Sequence, residues 1–193
     1  MAAMGLPQMV LIDFDKVEAE NLGPQGFRPD QIGQFKTECL LEDCQRINPE
    51  ANFTAVTDKF RAKFLLDFKP TAIISCVDSM RIRAMIWENI RMLDCLFIDT
   101  RMSSETCEIY SSEAPHSGYY ETTLFEDAEA YQGSCTAKST IYCANIAAGL
   151  AVSLLSKAMR GISLEPKLSL NILGSELEAI FMEPETQEER PEE

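Results

Sequence analysis

Two carboxylates, Asp13 and Asp15, directly follow a run of four apolar residues at positions 9–12. The run has no polar alternation, which is typical of a parallel β-strand that is buried on both faces. In a parallel sheet the carboxyl ends of the strands face a ligand crevice, where an acidic side chain can accept hydrogen bonds from a ribose hydroxyl. This pattern indicates nucleotide binding. A solvated turn at the end of a strand is an alternative explanation that the pattern alone leaves open.

Several further motifs follow this pair in a fixed order. They are Asn-Leu-x-x-Gln at 21–25, Ile-Gly-x-x-Lys at 32–36, an aspartate and an arginine at 78 and 83, Leu-Phe-Ile-Asp at 96–99 and Cys-Thr at 135–136. Together with the Asp-x-Asp pair, this order resembles the ThiF/MoeB adenylyltransferases, the family that also contains the ubiquitin-activating enzymes. The resemblance extends over roughly residues 1–173.

The resemblance implies a role for five residues in binding ATP and Mg²⁺. Asp13 and Asp15 would lie near the ribose, Asn21 and Lys36 near the phosphates, and Asp78 would hold magnesium as a catalytic residue. These residue types suit the chemistry, because a triphosphate needs a positive point charge and a metal-bound carboxylate to offset its negative charge.

Two of these residues also have plain structural explanations, since Lys36 could be an ordinary exposed helix lysine and Asp78 a helix N-cap. The chain also departs from the family pattern at Pro24, where the family has an arginine. Proline carries no charge and cannot replace a guanidinium, so Arg28 is a candidate for the missing phosphate contact.

A second departure concerns the amino-terminal region, because the sequence contains no GxGxxG motif. Residues 2–4, followed by Gly5 and Pro7, predict the end of a helix. We therefore expect a ThiF-like nucleotide-binding domain over residues 1–182 that is incomplete at its amino terminus and lacks the family's first strand. That strand would lie in the middle of the sheet, so its absence predicts two unpaired inner edges, on the strands at 9–12 and 72–75.

Cys135 is a candidate catalytic nucleophile. It lies in a Gln-Gly-Ser-Cys-Thr turn at 132–136, just before a predicted helix, where backbone amides can lower the pKa of a thiol. Relatives in the family place a thioester-forming or persulfide-forming cysteine in the corresponding connection. The alternative is a loop cysteine that only caps the helix.

The other six cysteines form no Cys-x-x-Cys pair, and His116 is the sole histidine, so we expect no structural zinc. Cys76, Cys95 and Cys143 fall in or beside predicted strands and helices, where cysteine usually acts as a small buried apolar group.

Composition limits the classes of partner and compartment. With 17 basic and 31 acidic residues the formal net charge is −14, which argues against nucleic acid as a partner and favours basic or neutral proteins. The acidic segment at 183–193 predicts a disordered tail. We expect neither a transmembrane run nor a secretory signal, and the seven scattered cysteines suit a reducing compartment, so the predicted location is cytoplasmic.

The elements that would position these residues alternate along the chain. Helices are predicted at 29–48, 79–92 and 139–159, a helical or irregular segment at 59–66, and further strands at 52–56, 72–75, 94–98, 107–111, 119–123 and 167–172. This order predicts an α/β fold with a doubly wound, Rossmann-like, mainly parallel sheet and antiparallel carboxyl-terminal strands.

The resemblance implies an ATP-dependent adenylyltransferase that activates the carboxyl terminus of a ubiquitin-like or sulfur-carrier protein, possible as a homodimer or a heterodimer. One alternative is a catalytically inactive ThiF-like scaffold or heterodimer subunit. Another is an NAD-dependent oxidoreductase, which shares the acid after a strand but does not need Asn21, Lys36 and Asp78 at these intervals.

Overall fold

A computed structural model describes residues 1–113, 118–126 and 140–180 of the chain. The strands are β1 (Gln8–Ile12), β2 (Asn52–Val56), β3 (Ala72–Ser75), β4 (Leu96–Ser103), β5 (Thr106–Ser112), β6 (Lys167–Asn171) and β7 (Glu176–Ile180). The helices are α1 (Leu22–Gln25), α2 (Lys36–Ile47), α3 (Lys63–Phe68), α4 (Met80–Ile90), α5 (Tyr119–Thr122) and α6 (Ile141–Met159). The predicted α/β class is confirmed.

The described strands form two sheets. β1 and β2 make a parallel pair, while the second sheet has the order β3-β4-β5-β6-β7. Within the second sheet β3 and β4 are parallel and the later pairs are antiparallel, as predicted for the carboxyl-terminal half. Among the described strands β1 pairs only with β2, and β3 only with β4. β1 and β3 therefore each have one edge that no described strand pairs.

The main core lies between α6 and the middle of the larger sheet. Ile98 on β4, Ile109 on β5 and Leu154 on α6 are all fully buried. The face of α6 that packs against the sheet also carries Ala147 and Ala151, whose small side chains let the helix approach closely. This core fixes β4, and with it the residues that β4 contributes to the site.

α6 also has the length and apolar composition of a membrane-spanning helix, the only one with both among the described helices. The expectation of no transmembrane run did not take this helix into account. Five residues of the helix are nevertheless buried in this fold, at 143, 147, 151, 154 and 155. A helix that packs in the core of a globular domain meets the same criteria of length and composition.

The segment predicted as a strand at 119–123 is instead the short helix α5, so that prediction is wrong. Its alternating residues resemble a strand pattern, but burial of an aromatic side chain decides the conformation. Tyr120 is almost fully buried, with its ring centroid 4.8 Å from that of Trp87 and 5.0 Å from that of Phe97. Such a cluster gains both buried area and edge-to-face ring contacts.

Other differences concern where elements begin and end. The predicted helix at 29–48 is a 3₁₀ turn at Pro29–Gln31 and then α2, because Gly33 between them has a φ of +86°, outside the helical region. β4 continues to Ser103 because it pairs with β5 in a hairpin, and β7 was not predicted at all. The predicted helix end before Gly5 is confirmed, as a 3₁₀ turn.

Candidate functional site

Asp15 and Lys36 form an ion pair just beyond the carboxyl end of β1. Lys36 Nζ lies 3.1 Å from Asp15 Oδ2, and the Lys36 backbone N–H donates to the Asp15 carbonyl at 2.9 Å. The lysine is the first residue of α2, and its side chain is only 13% exposed, whereas that of Asp15 is 50% exposed. Lys36 is therefore not the ordinary exposed lysine of the plain alternative.

Asp13 shapes the turn that presents this pair. Its Oδ1 accepts a hydrogen bond from the Asp15 backbone N–H at 2.8 Å, while its own N–H donates to Val56 at the end of β2. The Asp13 side chain therefore closes an Asx turn. Its other carboxylate oxygen accepts no hydrogen bond from the part of the chain that the structure describes. The first carboxylate of the motif thus fixes the backbone that carries the second.

Asn21 and Arg28 are directed elsewhere in this structure. Asn21 Oδ1 accepts from the Glu18 N–H at 2.9 Å, which closes a local 3₁₀ turn. Arg28 Nη1 donates to both carboxylate oxygens of Asp43 on α2, at 2.9 and 3.0 Å, and this hydrogen bonding raises the pKa of Arg28. Their predicted phosphate contacts would need both side chains to leave these partners.

Asp78 is an exposed residue in the segment between β3 and α4. The helix cap is Ser79, whose Oγ accepts from the Ile82 N–H at 3.4 Å, so the interpretation of Asp78 as the N-cap is wrong. No hydrogen bond or ion pair from the described residues holds the Asp78 carboxylate. The side chain is therefore available to a ligand.

A single available carboxylate fits one kind of metal site. The described residues contain no group of three or more His, Cys, Asp and Glu side chains that could hold a metal ion by themselves. Mg²⁺ is commonly bound by one or two carboxylates together with nucleotide phosphates and water. Asp78 therefore fits magnesium only as part of a complex with a bound nucleotide.

A buried ion network that the sequence analysis missed lies directly behind Asp78. Asp99, at the centre of β4, is fully buried and accepts from Arg83 Nη1, from Arg101 Nε at 2.8 Å and from the Tyr120 hydroxyl at 3.0 Å. Arg83 Nη2 also donates to the carbonyl of Val77. The aspartate at the end of the apolar run Leu-Phe-Ile was a signal of such a network, because a buried carboxylate requires a cationic partner.

Two members of the network, Arg101 and Tyr120, have raised pKa values. Burial lowers the pKa of Arg101, but the hydrogen bond and the charge of Asp99 outweigh this effect, so the net shift is upward. Burial and the charge of Asp99 together raise the pKa of Tyr120. Tyr120 therefore remains a neutral donor to Asp99.

The predicted nucleophile Cys135 lies outside the described residues, as do the 132–136 turn, His116 and the acidic segment at 183–193. Among the other cysteines, Cys95 and Cys143 are buried as predicted, whereas Cys76 is exposed. Burial raises the pKa of Cys107, another buried cysteine, to about 11, so this thiol is protonated at neutral pH.

Comparison with known proteins gives one family over nearly the whole chain. A model of the ThiF family matches residues 1–192. Curated relatives include three proteins named ubiquitin-like modifier-activating enzyme 5. The one from Aedes aegypti is 32% identical over 96 residues, the one from Caenorhabditis elegans 27% over 95 residues, and the one from Oryza sativa subsp. japonica 26% over 116 residues.

These alignments cover 42%, 42% and 52% of this chain, and 24%, 23% and 28% of the three relatives, in the same order. The chain therefore matches about a quarter of the length of each relative.

Solved structures show the same fold. Escherichia coli MccB superposes with a TM-score of 0.73 at 16% identity, covering 92% of this chain and 56% of MccB. PaaA superposes with a TM-score of 0.72 at 18% identity, covering 92% of this chain and 57% of PaaA. MccB in a structure with ATP gives a TM-score of 0.67. At these identities the likeness establishes the fold alone.

Proposed function

Because the chain belongs to the ThiF family, we propose that it is an ATP-dependent adenylyltransferase that activates the carboxyl terminus of a ubiquitin-like or sulfur-carrier protein. The observation that carries this proposal is the Asp15–Lys36 pair beyond β1, where a largely buried lysine opens α2. The amino end of a helix and a lysine both favour a bound phosphate. The relatives named as modifier-activating enzymes support the substrate class.

In this proposal the residues near the end of β1 contact different parts of the nucleotide. Asp13 and Asp15 accept hydrogen bonds from ribose hydroxyls, and Lys36 exchanges Asp15 for a phosphate oxygen. Charge favours this change of partner for Lys36, because a triphosphate carries several negative charges and Asp15 only one. Asn21 and Arg28 would join the phosphates after leaving Glu18 and Asp43.

The reaction itself is a substitution at the α-phosphate. The carrier's carboxylate oxygen forms a bond to phosphorus while the bond to pyrophosphate breaks, which gives an acyl adenylate and free pyrophosphate. The protein's contribution is to hold the two reactants in line and to neutralise the charge on the leaving group.

Asp78 would hold magnesium together with the nucleotide phosphates. When bound there, magnesium supplies positive charge to the phosphate oxygens. The exposed Asp78 carboxylate suits this role, because no described residue competes for it.

Cys135 would act after adenylation. Its thiolate would attack the acyl carbon of the adenylate, forming a thioester while AMP leaves with the bonding electron pair.

We also propose that the protein works in the cytoplasm, as a homodimer or as one half of a heterodimer.

One observation favours a second function, that of a catalytically inactive scaffold or heterodimer subunit. Among the described strands β1 and β3 do not pair with each other, so each has an edge at which a partner protein could add a strand.

Calorimetric titration with ATP and Mg²⁺, with AMP and with NAD separates these functions. Saturable binding of ATP that strengthens with Mg²⁺ supports the adenylyltransferase. A protein that binds none of the three is a scaffold, and selective binding of NAD would indicate an oxidoreductase.

A further inference from the structure

We propose that Arg83 is a positioning residue for Asp78. Arg83 is itself held by the buried carboxylate of Asp99, which we call the anchor. The inference rests on the proposed function, because it concerns the carboxylate that would hold magnesium there. Arg83 does not touch the proposed ligand. It acts on the peptide unit that carries Asp78.

The side chain of Arg83 connects Asp99 to the peptide unit between Val77 and Asp78. Arg83 Nη1 donates to Asp99, and Nη2 donates to the Val77 carbonyl. The Val77 carbonyl and the Asp78 N–H belong to the same planar peptide unit. Because the plane is rigid, holding the carbonyl fixes the Asp78 Cα and the axis of its N–Cα bond, which limits the directions that the Asp78 side chain can take.

The anchor itself cannot move easily. Asp99 is fully buried in β4, the side chain of Arg83 is 6% exposed, and the second oxygen of Asp99 is held by Arg101 and Tyr120. The Arg83 backbone N–H also donates to the Ser79 carbonyl at 3.1 Å, so the same residue closes the first turn of α4. The segment at 77–79 is thereby fixed at both ends.

The need to balance the charge of Asp99 does not explain the contact of Arg83 Nη2 with the Val77 carbonyl. Asp99 already has a cationic partner in Arg101, and a lysine at position 83 would keep the positive charge beside it. An ammonium group, however, is a single point on a flexible stem, whereas a guanidinium holds two acceptors in one plane. Arg83→Lys therefore separates the charge of Arg83 from its hold on Val77.

The test compares Arg83→Lys with Arg91→Lys, a matched change at the other end of α4, where the arginine is exposed and pairs with Glu88 and Glu121. Two properties are measured in the full chain. One is the backbone order of residues 76–80, read from ¹⁵N relaxation, with hydrogen exchange of the Ile98 amide as a check on the fold. The other is the affinity for Mn²⁺ in the presence of a non-hydrolysable ATP analogue, read from the electron paramagnetic resonance signal of free Mn²⁺.

We expect Arg83→Lys to lower the backbone order parameters of Asp78 and Ser79 from about 0.85 to below about 0.6. It should also weaken Mn²⁺ binding at least about tenfold, while the amide of Ile98 in β4 stays protected from exchange. Arg91→Lys should change neither property. Unchanged Mn²⁺ affinity in Arg83→Lys would overturn the inference. So would faster exchange at the Ile98 amide, since Arg83 would then only stabilise the fold. An unsubstituted protein that binds no Mn²⁺ with the analogue would overturn the inference as well.

The proposed function is judged separately, by ATP–pyrophosphate exchange. A protein that shows the expected differences in Mn²⁺ binding but catalyses no exchange would keep the positioning role of Arg83 and lose the adenylyltransferase assignment.

Discussion

Lys36 is the residue on which nucleotide affinity should depend most. A charge-assisted hydrogen bond contributes about 1.5–3 kcal/mol, which corresponds to roughly a tenfold to hundredfold change in affinity. We expect Lys36→Met to raise the dissociation constant for ATP by that factor, as measured by calorimetry. Lys63→Met, at an exposed lysine on α3, serves as the control and should leave it within about twofold. An equal effect of the two substitutions would contradict the role of Lys36.

Asp99 should matter for stability. It compensates two nearly buried guanidinium groups, and removing one partner of a buried ion pair costs about 3–5 kcal/mol. We expect Asp99→Asn to lower the free energy of unfolding by that amount in urea titrations. Asp58→Asn, which breaks an exposed pair with Arg61, should have little effect. A loss below about 1 kcal/mol for Asp99→Asn would show that the network is not a main support of β4.

The sequence predicted that Asp15 and Lys36 would lie near one another, but not the contact between Arg83 and Asp99. Asp15 and Lys36, which the motif order assigned to the same nucleotide, lie together because the backbone at 15–17 pairs with that at 33–36, with a bridge between Lys16 and Phe35. The pairing of Arg83 with Asp99 was not predicted, since it depends on the packing of α4 against β4. Arg83 and Asp99 are 16 residues apart, so no local sequence pattern connects them.

At the level of elements, the start of α6 offers a direct test of local stability. Thr140 caps this helix, its Oγ1 accepting from the Cys143 N–H at 3.3 Å. Loss of such a cap costs about 1 kcal/mol, so we expect Thr140→Ala to lower the free energy of unfolding by that amount. Ser153→Ala, at an exposed position within the same helix, should be neutral or slightly stabilising. The same loss in both variants would show that the cap contributes nothing specific.

Elements with strong local signals were predicted well. β1, β2 and β3 follow from short apolar runs bounded by polar residues, and their predicted positions agree with the structure to within one residue. α5 was predicted as a strand because two tyrosines and two threonines favour strands, and the burial of Tyr120 overrides that preference. β7 is exposed along its whole length, so its short alternation of glutamates with Leu177 and Ala179 does not correspond to a buried face.

At the level of the whole molecule, the two described sheets should differ in stability. β4 and β5 have partners on both sides and bury Ile98 and Ile109, whereas β1 is paired on one side only. Local opening costs less where fewer buried contacts are lost. We expect the amides of β1 to exchange at least about tenfold faster than those of Ile98 and Ile109 in native-state hydrogen exchange. Equal protection of the two sheets would show that they unfold as one unit.

The most direct test of the central claim is ATP–pyrophosphate exchange, with Mg²⁺, in the presence of ubiquitin-like and sulfur-carrier proteins with free carboxyl termini. An adenylyltransferase forms its acyl adenylate reversibly, so labelled pyrophosphate should enter ATP only when a suitable carrier is present. Lys36→Met and Asp78→Asn should each reduce the rate at least about tenfold. Absence of exchange with every carrier, in a protein that binds no ATP, would contradict the assignment and leave the scaffold as the function.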